Sequence, residues 1–188
     1  PITLFTGKIN DVTSPSFERV DTLAFDSWKA GITNKLTLTF SEQSPSDMIR
    51  NLVVEQLGIL KTNIEPVSDM LDKLPMFKMT VANAIKFINK RMKLNYDAYV
   101  DESGVFVWGP RDYTQEPSFE FEYGVDLLSL DFNSNTFAVS AQDIKLAQIV
   151  NIVDKDQVEH LVFVENIKHS IPMRGASRSE VGFEVVPS

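Results

Sequence analysis

Alternating apolar and polar positions run through much of the chain, a period of two that is typical of strands with one buried face. The clearest run lies at 35–40, where Leu36, Leu38 and Phe40 alternate with polar residues. Two earlier segments, 2–9 and 17–25, are rich in β-branched and aromatic residues, and the DVTSPS sequence between them has turn chemistry. The first forty residues therefore predict three strands, with a turn at 11–16.

The period becomes helical at Ser44. Ser44 suits an N-cap, Pro45 suits the first helical position, and Asp47 stands where an acidic capping residue is favoured. Apolar residues then recur at helical spacing as far as Gly58, which favours the end of a helix. The predicted buried stripe consists of Met48, Ile49, Leu52, Val53 and Leu57. The pattern predicts a helix over 44–58.

A second helix is predicted after Thr80, which suits its N-cap. Its apolar stripe consists of Val81, Ala84, Ile85, Ile88 and Met92. Four basic residues fit its solvated face, an interpretation that we favour over a binding surface: Lys86, Lys90, Arg91 and Lys93. The stretch 68–74, between Pro66 and Pro75, fits one or two helical turns and an extended loop equally well.

A hairpin is predicted at 95–110. Tyr96, Ala98 and Val100 alternate with more polar residues, the turn 101–104 ends in Gly104, and 105–108 forms the return strand. Residues 44–110 would then make a helix–helix–hairpin unit.

Beyond the polar segment 111–118 the period of two returns. Strands are predicted at 119–122, 128–132, 137–141, 160–171 and 180–186. In the second of these, Leu128, Leu130 and Phe132 should share the apolar face. The segment 142–153 has some helical spacing, although 149–153 favours a strand.

These elements predict an α+β chain. A mainly antiparallel β-barrel or sandwich would be assembled from residues 1–43 and 111–188, with residues 44–110 as an inserted α/β subdomain.

Composition excludes several function classes. The 188 residues are 43% hydrophobic and 23% charged, which is typical of a globular protein. The chain has no cysteine, which excludes disulfides and thiolate metal sites. A net charge of −8 repels phosphate backbones and anionic lipid. No segment has the roughly 20 apolar residues of a membrane span, and the first residues lack the pattern of a secretory signal. We therefore expect no specific nucleic-acid binding and no membrane insertion.

Motifs for cofactor or metal chemistry are missing. Neither glycine-rich phosphate-binding pattern occurs. The two histidines, His160 and His169, are nine residues apart, so on one regular strand they would point to opposite faces unless a bulge intervened. The sequence predicts no cofactor and no metal.

Two sets of carboxylates are candidates for an acid pair. Glu120 and Glu122 alternate with phenylalanines, which is typical of the wet face of a strand. Asp97, Asp101 and Glu102 flank a hairpin turn, where aspartate is favoured for local hydrogen bonds. We expect no catalytic residue and no enzymatic activity.

Four residues are candidates for a protein interface. Trp28 and Trp108 lie beside turn sequences, and tryptophan is enriched at interfaces, although core or hinge packing is the better-supported alternative for both. Arg174 and Arg178 belong to a polar loop, 172–179, that either reaches a neighbouring subunit or is an exposed hairpin tip.

The order of segments resembles the baseplate hub proteins of bacteriophage tails, whose relatives form the hub of type VI secretion and related injection machines. The resemblance rests on the opening LFTGKIND, on FSEQSPSDMIRNLVVEQLG at 40–58, on TVANAIKFI from Thr80, on LNYDAY and GVFV in the hairpin, and on FVENIKH at 163–169. It extends over most of the chain, and the family has no catalytic motif to compare.

The resemblance implies a structural role. A barrel of this family is one segment of a ring that extends its sheet into neighbouring copies and continues the tail tube. Its partners would be other copies of itself and neighbouring tail or baseplate proteins, and its place would be the virion tail, assembled in the host cytoplasm. A negative lumen would not grip passing DNA.

Two other functions remain as alternatives. One is a carbohydrate- or receptor-binding β-module of a tail protein, with Trp28 or Trp108 as a platform for sugars. The other, which we do not favour, is a glycosidase that uses an acid pair.

Overall fold

Strands make up most of the regular structure in the computed structural model of the protein. The structure describes residues 8–16, 19–25, 33–101, 103–170 and 176–187. Contacts between Cα atoms divide the chain into two compact units. Among the described residues, the helical unit holds 8–9, 24–25 and 33–111, and the sheet unit holds 10–16, 19–23 and 112–187. The boundaries at 44 and 110 remain a prediction, and the contacts group 35–43 with the helical unit.

Strands β1 (Lys8–Ser16) and β2 (Arg19–Phe25) form a two-stranded sheet. The turn predicted at 11–16 is wrong, because these residues belong to β1. Val12 and Thr13 are β-branched and favour an extended backbone, and the fixed φ of Pro15 is compatible with a strand. The predicted strand over 2–9 lies mostly outside the described residues.

In the helical unit, β3 (Lys35–Gln43) pairs with β5 (Leu71–Thr80) in an antiparallel ladder. The predicted alternation of β3 is confirmed, since Leu36 and Leu38 are partly buried and Phe40 is fully buried. The register shifts between Leu36 and Leu38, opposite Lys78, whose φ is positive.

The helix predicted from Ser44 is present. It consists of α1 (Pro45–Arg50) and a π-helical continuation over Asn51–Glu55. The Ser44 hydroxyl accepts the backbone N–H of Asp47 at 3.2 Å, as a capping serine should. Most of the predicted stripe lies in the core, and Leu57 packs against it.

The stretch 68–74 is neither helix nor wholly loop, because β5 begins at Leu71. Leu74 and Met76 lie at alternate positions and point into the core, where they pack against the apolar face of β3. A short strand that the sequence did not predict, β4 (Thr62–Ile64), also lies in this part of the chain.

The second predicted helix is α2 (Val81–Met92), capped by Thr80 as expected. The predicted hairpin follows as β6 (Tyr96–Val100) and β7 (Phe106–Pro110), and β4 pairs with β7 in parallel. The core of the helical unit joins these elements: Phe40, Met48, Ile49, Leu52, Val53, Leu74, Met76, Val81, Ala84, Ile85, Ile88, Val100, Phe106 and Trp108.

The sheet unit contains a six-stranded mixed sheet. Its strands are β8 (Phe119–Glu122), β9 (Leu127–Asp131), β10 (Thr136–Ser140), β11 (Ile149–Val153), β12 (Glu159–Ser170) and β13 (Arg178–Val185). They lie in the order β8-β11-β12-β13-β10-β9. Four pairings are antiparallel, as predicted, but β8 and β11 run parallel. The strand expected at 149–153 is present as β11.

One face of this sheet carries the core of the sheet unit, so the sheet must curl to bury it. Phe121 on edge strand β8 lies 5.9 Å from Phe137 on β10, between ring centroids, although three strands separate β8 from β10 in the sheet order. Neighbouring strands lie about 4.8 Å apart, so a flat sheet would hold these rings much farther from each other. The sheet is therefore curled.

The face assigned to Leu128 is wrong. Val139 lies opposite Leu127, and Ala138 lies opposite Ser129, so Leu128 is the extra residue of a β-bulge. The bulge points Leu127 into the core and leaves Leu128 exposed.

Candidate interaction surfaces

Trp108 belongs to the core of the helical unit. Its side chain is 1% exposed, and its ring meets that of Tyr96 edge-on at 4.7 Å between centroids. The indole Nε1–H donates to Oδ1 of Asn89 at 3.0 Å, so its polar atom is also satisfied. A side chain this deeply buried offers no platform to a sugar and no anchor to a partner. The core alternative describes Trp108 correctly.

The other three predicted interface residues are Trp28, Arg174 and Arg178. Trp28 and Arg174 lie outside the described residues. Arg178 begins β13 with more than half of its side chain exposed, and its guanidinium lies 3.5 Å from a carboxylate oxygen of Glu180. Exposed ion pairs of this kind contribute little to stability, so Arg178 is available to a partner. Its interface role stays a prediction.

The two histidines share one face of β12, although they are nine residues apart. The register of β12 against β13 shifts between Val164 and Asn166, which makes Glu165 the extra residue of a β-bulge. Because of this extra residue, His160 and His169 point to the same face although an odd number of residues separates them on the chain. Nine residues of strand span roughly 30 Å. The histidines therefore cannot ligate one metal ion.

Each histidine has a local partner. His160 Nε2 lies 2.8 Å from Oδ2 of Asp154, and His169 Nδ1 lies 2.9 Å from the hydroxyl of Ser179. The hydrogen bond with His160, aided by the backbone N–H groups of Val158 and Asp156, lowers the pKa of Asp154. Both imidazoles thus take part in structural hydrogen bonds of the sheet unit.

Carboxylates of both candidate acid pairs make local contacts as well. Glu120 accepts from the amide of Asn151 at 3.1 Å, and Glu122 accepts from the amide of Gln157 at 3.3 Å. Asp101 accepts the backbone N–H groups of Ser103 and Val105, which is the turn role that its position predicts. These contacts fit structural roles.

The described ranges contain neither a metal-binding cluster of side chains nor a membrane-spanning helix. No group of three or more His, Asp and Glu residues there could hold a metal ion. None of the helices there has the length and apolarity needed to cross a bilayer.

The surface that sequence patterns missed lies beside the edges of the six-stranded sheet. β8 and β9 are its edge strands, and apart from one isolated bridge between Tyr123 and Leu127, the outer backbone groups of each lack a strand partner among the described residues. Tyr123 and Val125, which follow β8, and Leu128, which lies in β9, are 47%, 74% and 58% exposed. Alternation alone predicts a buried Leu128, and Gly124 in the segment YGVDLL is the sequence signal of an irregular backbone here. We call these edges and the three side chains the open edge.

No protein-family profile and no curated protein sequence matches the chain. Two solved structures nevertheless share its fold. The tail protein from Neisseria meningitidis MC58 superimposes with a TM-score of 0.71 at 12% identity, over 96% of this chain and 79% of that one. The 43 kDa tail protein of prophage MuSo2 from Shewanella oneidensis gives a TM-score of 0.69 at 11% identity, over 97% of this chain and 76% of that one. At such identities the likeness establishes a common fold.

Proposed function

We propose that this protein is a structural, non-catalytic component of a bacteriophage or phage-like tail. The observation that carries the proposal is the fold shared, over nearly the whole chain, with two tail proteins, one of them from a prophage. A fold alone does not fix a function. A tail is an assembly of many subunits, however, and an open edge suits assembly.

Within the tail, the proposed place is a ring at the baseplate hub that continues the tail tube. The curled sheet would act as a β-barrel segment whose edge strands pair with neighbouring copies and with other tail proteins. Added strands gain main-chain hydrogen bonds, and the exposed side chains of the open edge would gain from burial. This arrangement needs no cofactor.

Charge supports a channel that lets DNA pass. With 26 acidic and 18 basic residues, the chain repels phosphate more than it attracts it. We therefore expect no specific nucleic-acid binding.

Self-association is the direct test. Size-exclusion chromatography with light scattering over a range of concentrations should show a ring or a concentration-dependent oligomer, and electron microscopy should show its shape. Val125→Lys combined with Leu128→Lys places two charges beside the edge strands, which opposes strand addition. We expect this variant to stay monomeric while its thermal unfolding is unchanged, because both side chains are exposed.

The matched control changes exposed apolar residues of the helical unit. Leu60→Lys combined with Phe77→Lys adds the same charge to side chains that are at least as exposed. This control should assemble like the wild type. A wild-type chain that stays monomeric at every concentration, or an open-edge variant that assembles normally, would contradict the proposed ring.

A further inference from the structure

The net charge of the chain is confined to its second part. Residues 1–111 hold 13 Lys and Arg against 13 Asp and Glu, whereas residues 112–188 hold 5 against 13, a net charge of −8. Most of the helical unit lies in the first range and most of the sheet unit in the second, so the excess of negative charge belongs to the sheet unit. Such an asymmetry within one chain creates a field that can orient another copy.

Many of these acids meet at one end of the sheet. Glu122 ends β8 and contacts Gln157 in the β11–β12 turn, and the ring of His160 beside that turn lies 4.6 Å from the ring of Phe132 in the β9–β10 turn. These contacts bring together the β8–β9, β9–β10 and β11–β12 turns, which contain few basic residues. We call this surface the acidic end, and its members are Glu122, Asp126, Asp131, Asp154, Asp156 and Glu159.

The helical unit carries a basic surface of complementary chemistry. Three side chains of α2, Lys86, Lys90 and Arg91, are exposed, and α2 contains no acidic residue. No ion pair or side-chain hydrogen bond involves any of the three within the part of the chain that the structure describes. Lys86 and Lys90 are four residues apart, so they lie on the same face of the helix. We call this surface the basic face.

We propose that the basic face of one copy docks on the acidic end of a second copy. The inference rests on the proposed assembly of the protein and names one of its contacts. This contact differs from edge pairing, because it is held by side-chain charges and not by hydrogen bonds between strands. The surface on one copy differs from the surface on the next, so the contact is heterologous and propagates into a ring or a stack.

Charge complementarity favours a second copy over nucleic acid. An identical chain has the same net charge of −8, but it brings six carboxylates on one surface to the basic face, and binding of nucleic acid there is an outcome that the charge-reversal test distinguishes. Opposed charges of this kind set register and accelerate encounter more than they add affinity. The proposed contact would therefore guide the order of assembly.

Charge reversal tests the contact. The basic-face variant carries Lys86→Glu, Lys90→Glu and Arg91→Glu, and the acidic-end variant carries Glu122→Lys, Asp156→Lys and Glu159→Lys. All six side chains are exposed, so folding should be retained and is checked by thermal unfolding. We expect each variant alone to self-associate at least about tenfold more weakly than the wild type at low salt. An equimolar mixture should recover association, because each variant then offers the complement of the other.

Salt and a matched variant provide the controls. Raising the salt from about 0.1 M to 1 M shortens the Debye length from about 10 Å to 3 Å, so it should weaken wild-type association and remove the difference between wild type and variants. Lys35→Glu, Lys61→Glu and Lys73→Glu give the same net charge as the basic-face variant at exposed positions elsewhere in the helical unit. This control should associate like the wild type.

The outcomes separate this contact from the proposed ring. A wild-type protein that never associates contradicts both. Normal association of the basic-face variant, equal loss in the matched control, or no recovery in the mixture overturns the docking contact alone. Binding of a short DNA duplex that is lost in the basic-face variant and unchanged in the acidic-end variant would also overturn it, and would assign the basic face to nucleic acid.

Discussion

At the scale of single residues, Trp108 provides the sharpest test of packing. Trp108→Ala removes the largest side chain of the helical core, and such substitutions typically cost about 3–5 kcal/mol of the free energy of unfolding. Urea unfolding followed by circular dichroism measures the loss. Trp108→Phe is the control, because it keeps much of the ring but removes the donor to Asn89, and should cost about 1–3 kcal/mol. An alanine variant as stable as the wild type would contradict core packing.

Asp131 makes part of the stability depend on pH. Hydrogen bonds from the Ser134 hydroxyl and the Asn133 backbone lower the pKa of Asp131 below its usual 3.8. Because the folded pKa is lower than the unfolded one, the contribution is present above pH 3.8 and is lost as the pH falls through the folded pKa. Melting temperatures measured from pH 7 downwards should fall less steeply below that value for Asp131→Asn than for the wild type. Identical acid profiles would sink this prediction.

Gln157 occupies a backbone conformation that suits glycine. Its φ is +62° in the turn between β11 and β12. The left-handed region costs a residue with a Cβ about 1–2 kcal/mol relative to glycine. Replacing the residue by glycine removes this strain, but glycine loses more conformational entropy on folding, which cancels part of the gain. Gln157→Gly should therefore raise the free energy of unfolding by at most about 0.5–1 kcal/mol, because it also removes the exposed hydrogen bond to Glu122. Lys155→Gly in the same turn is the control and should give no gain, since its φ is not positive.

Local chemistry explains which residues were predictable. The caps at Ser44 and Thr80 and the turn role of Asp101 depend on neighbours in sequence, and all three are confirmed. Leu128 was not predictable, because its exposure follows from a bulge against another strand. The open edge could not be predicted for the same reason.

At the scale of elements, the bulge at Glu165 keeps β12 in register. Deleting Glu165 would turn Ile167 and His169 to the opposite face, because a slip of one residue exchanges the faces of a strand. We expect the deletion to cost more than about 3 kcal/mol, the range of core disruption. Glu165→Ala keeps the extra residue and should therefore cost much less stability than the deletion. Guanidinium unfolding compares the two, and similar values would show that the bulge is dispensable.

Helices with clear caps were easier to predict than strands between prolines. α2 was placed almost to the residue, because its cap and its stripe agree. β5 was not predicted, because its two inward residues, Leu74 and Met76, span too short a run to decide between a strand and a helical turn. Its conformation depends on β3, which lies more than thirty residues earlier.

At the scale of the whole molecule, the helical unit should fold without the rest of the chain. Residues 33–111 are contiguous and contain a core of 14 buried residues. A fragment of this range should unfold cooperatively, with Trp108 as its only tryptophan and therefore a direct fluorescence reporter. A broad transition, or a Trp108 emission like that of free tryptophan in water, would contradict an independent unit.

Strand partners were the least predictable feature of the molecule. Alternation predicted most strands of the sheet unit, but it carries no information on which strands become neighbours. The parallel pairing of β8 with β11 brings together segments that are about thirty residues apart. Such pairing depends on the closure of the whole curled sheet.

The position of β13 has a consequence for biosynthesis. β13 follows the other five strands in the chain, yet it lies between β12 and β10 in the sheet. While a ribosome is still making residues 112–177, the β9–β10 and β11–β12 hairpins have no strand to join them, and their apolar faces stay uncovered. Only when 178–185 emerges can the sheet unit close, so any subunit that is ready to assemble has already been translated past that strand.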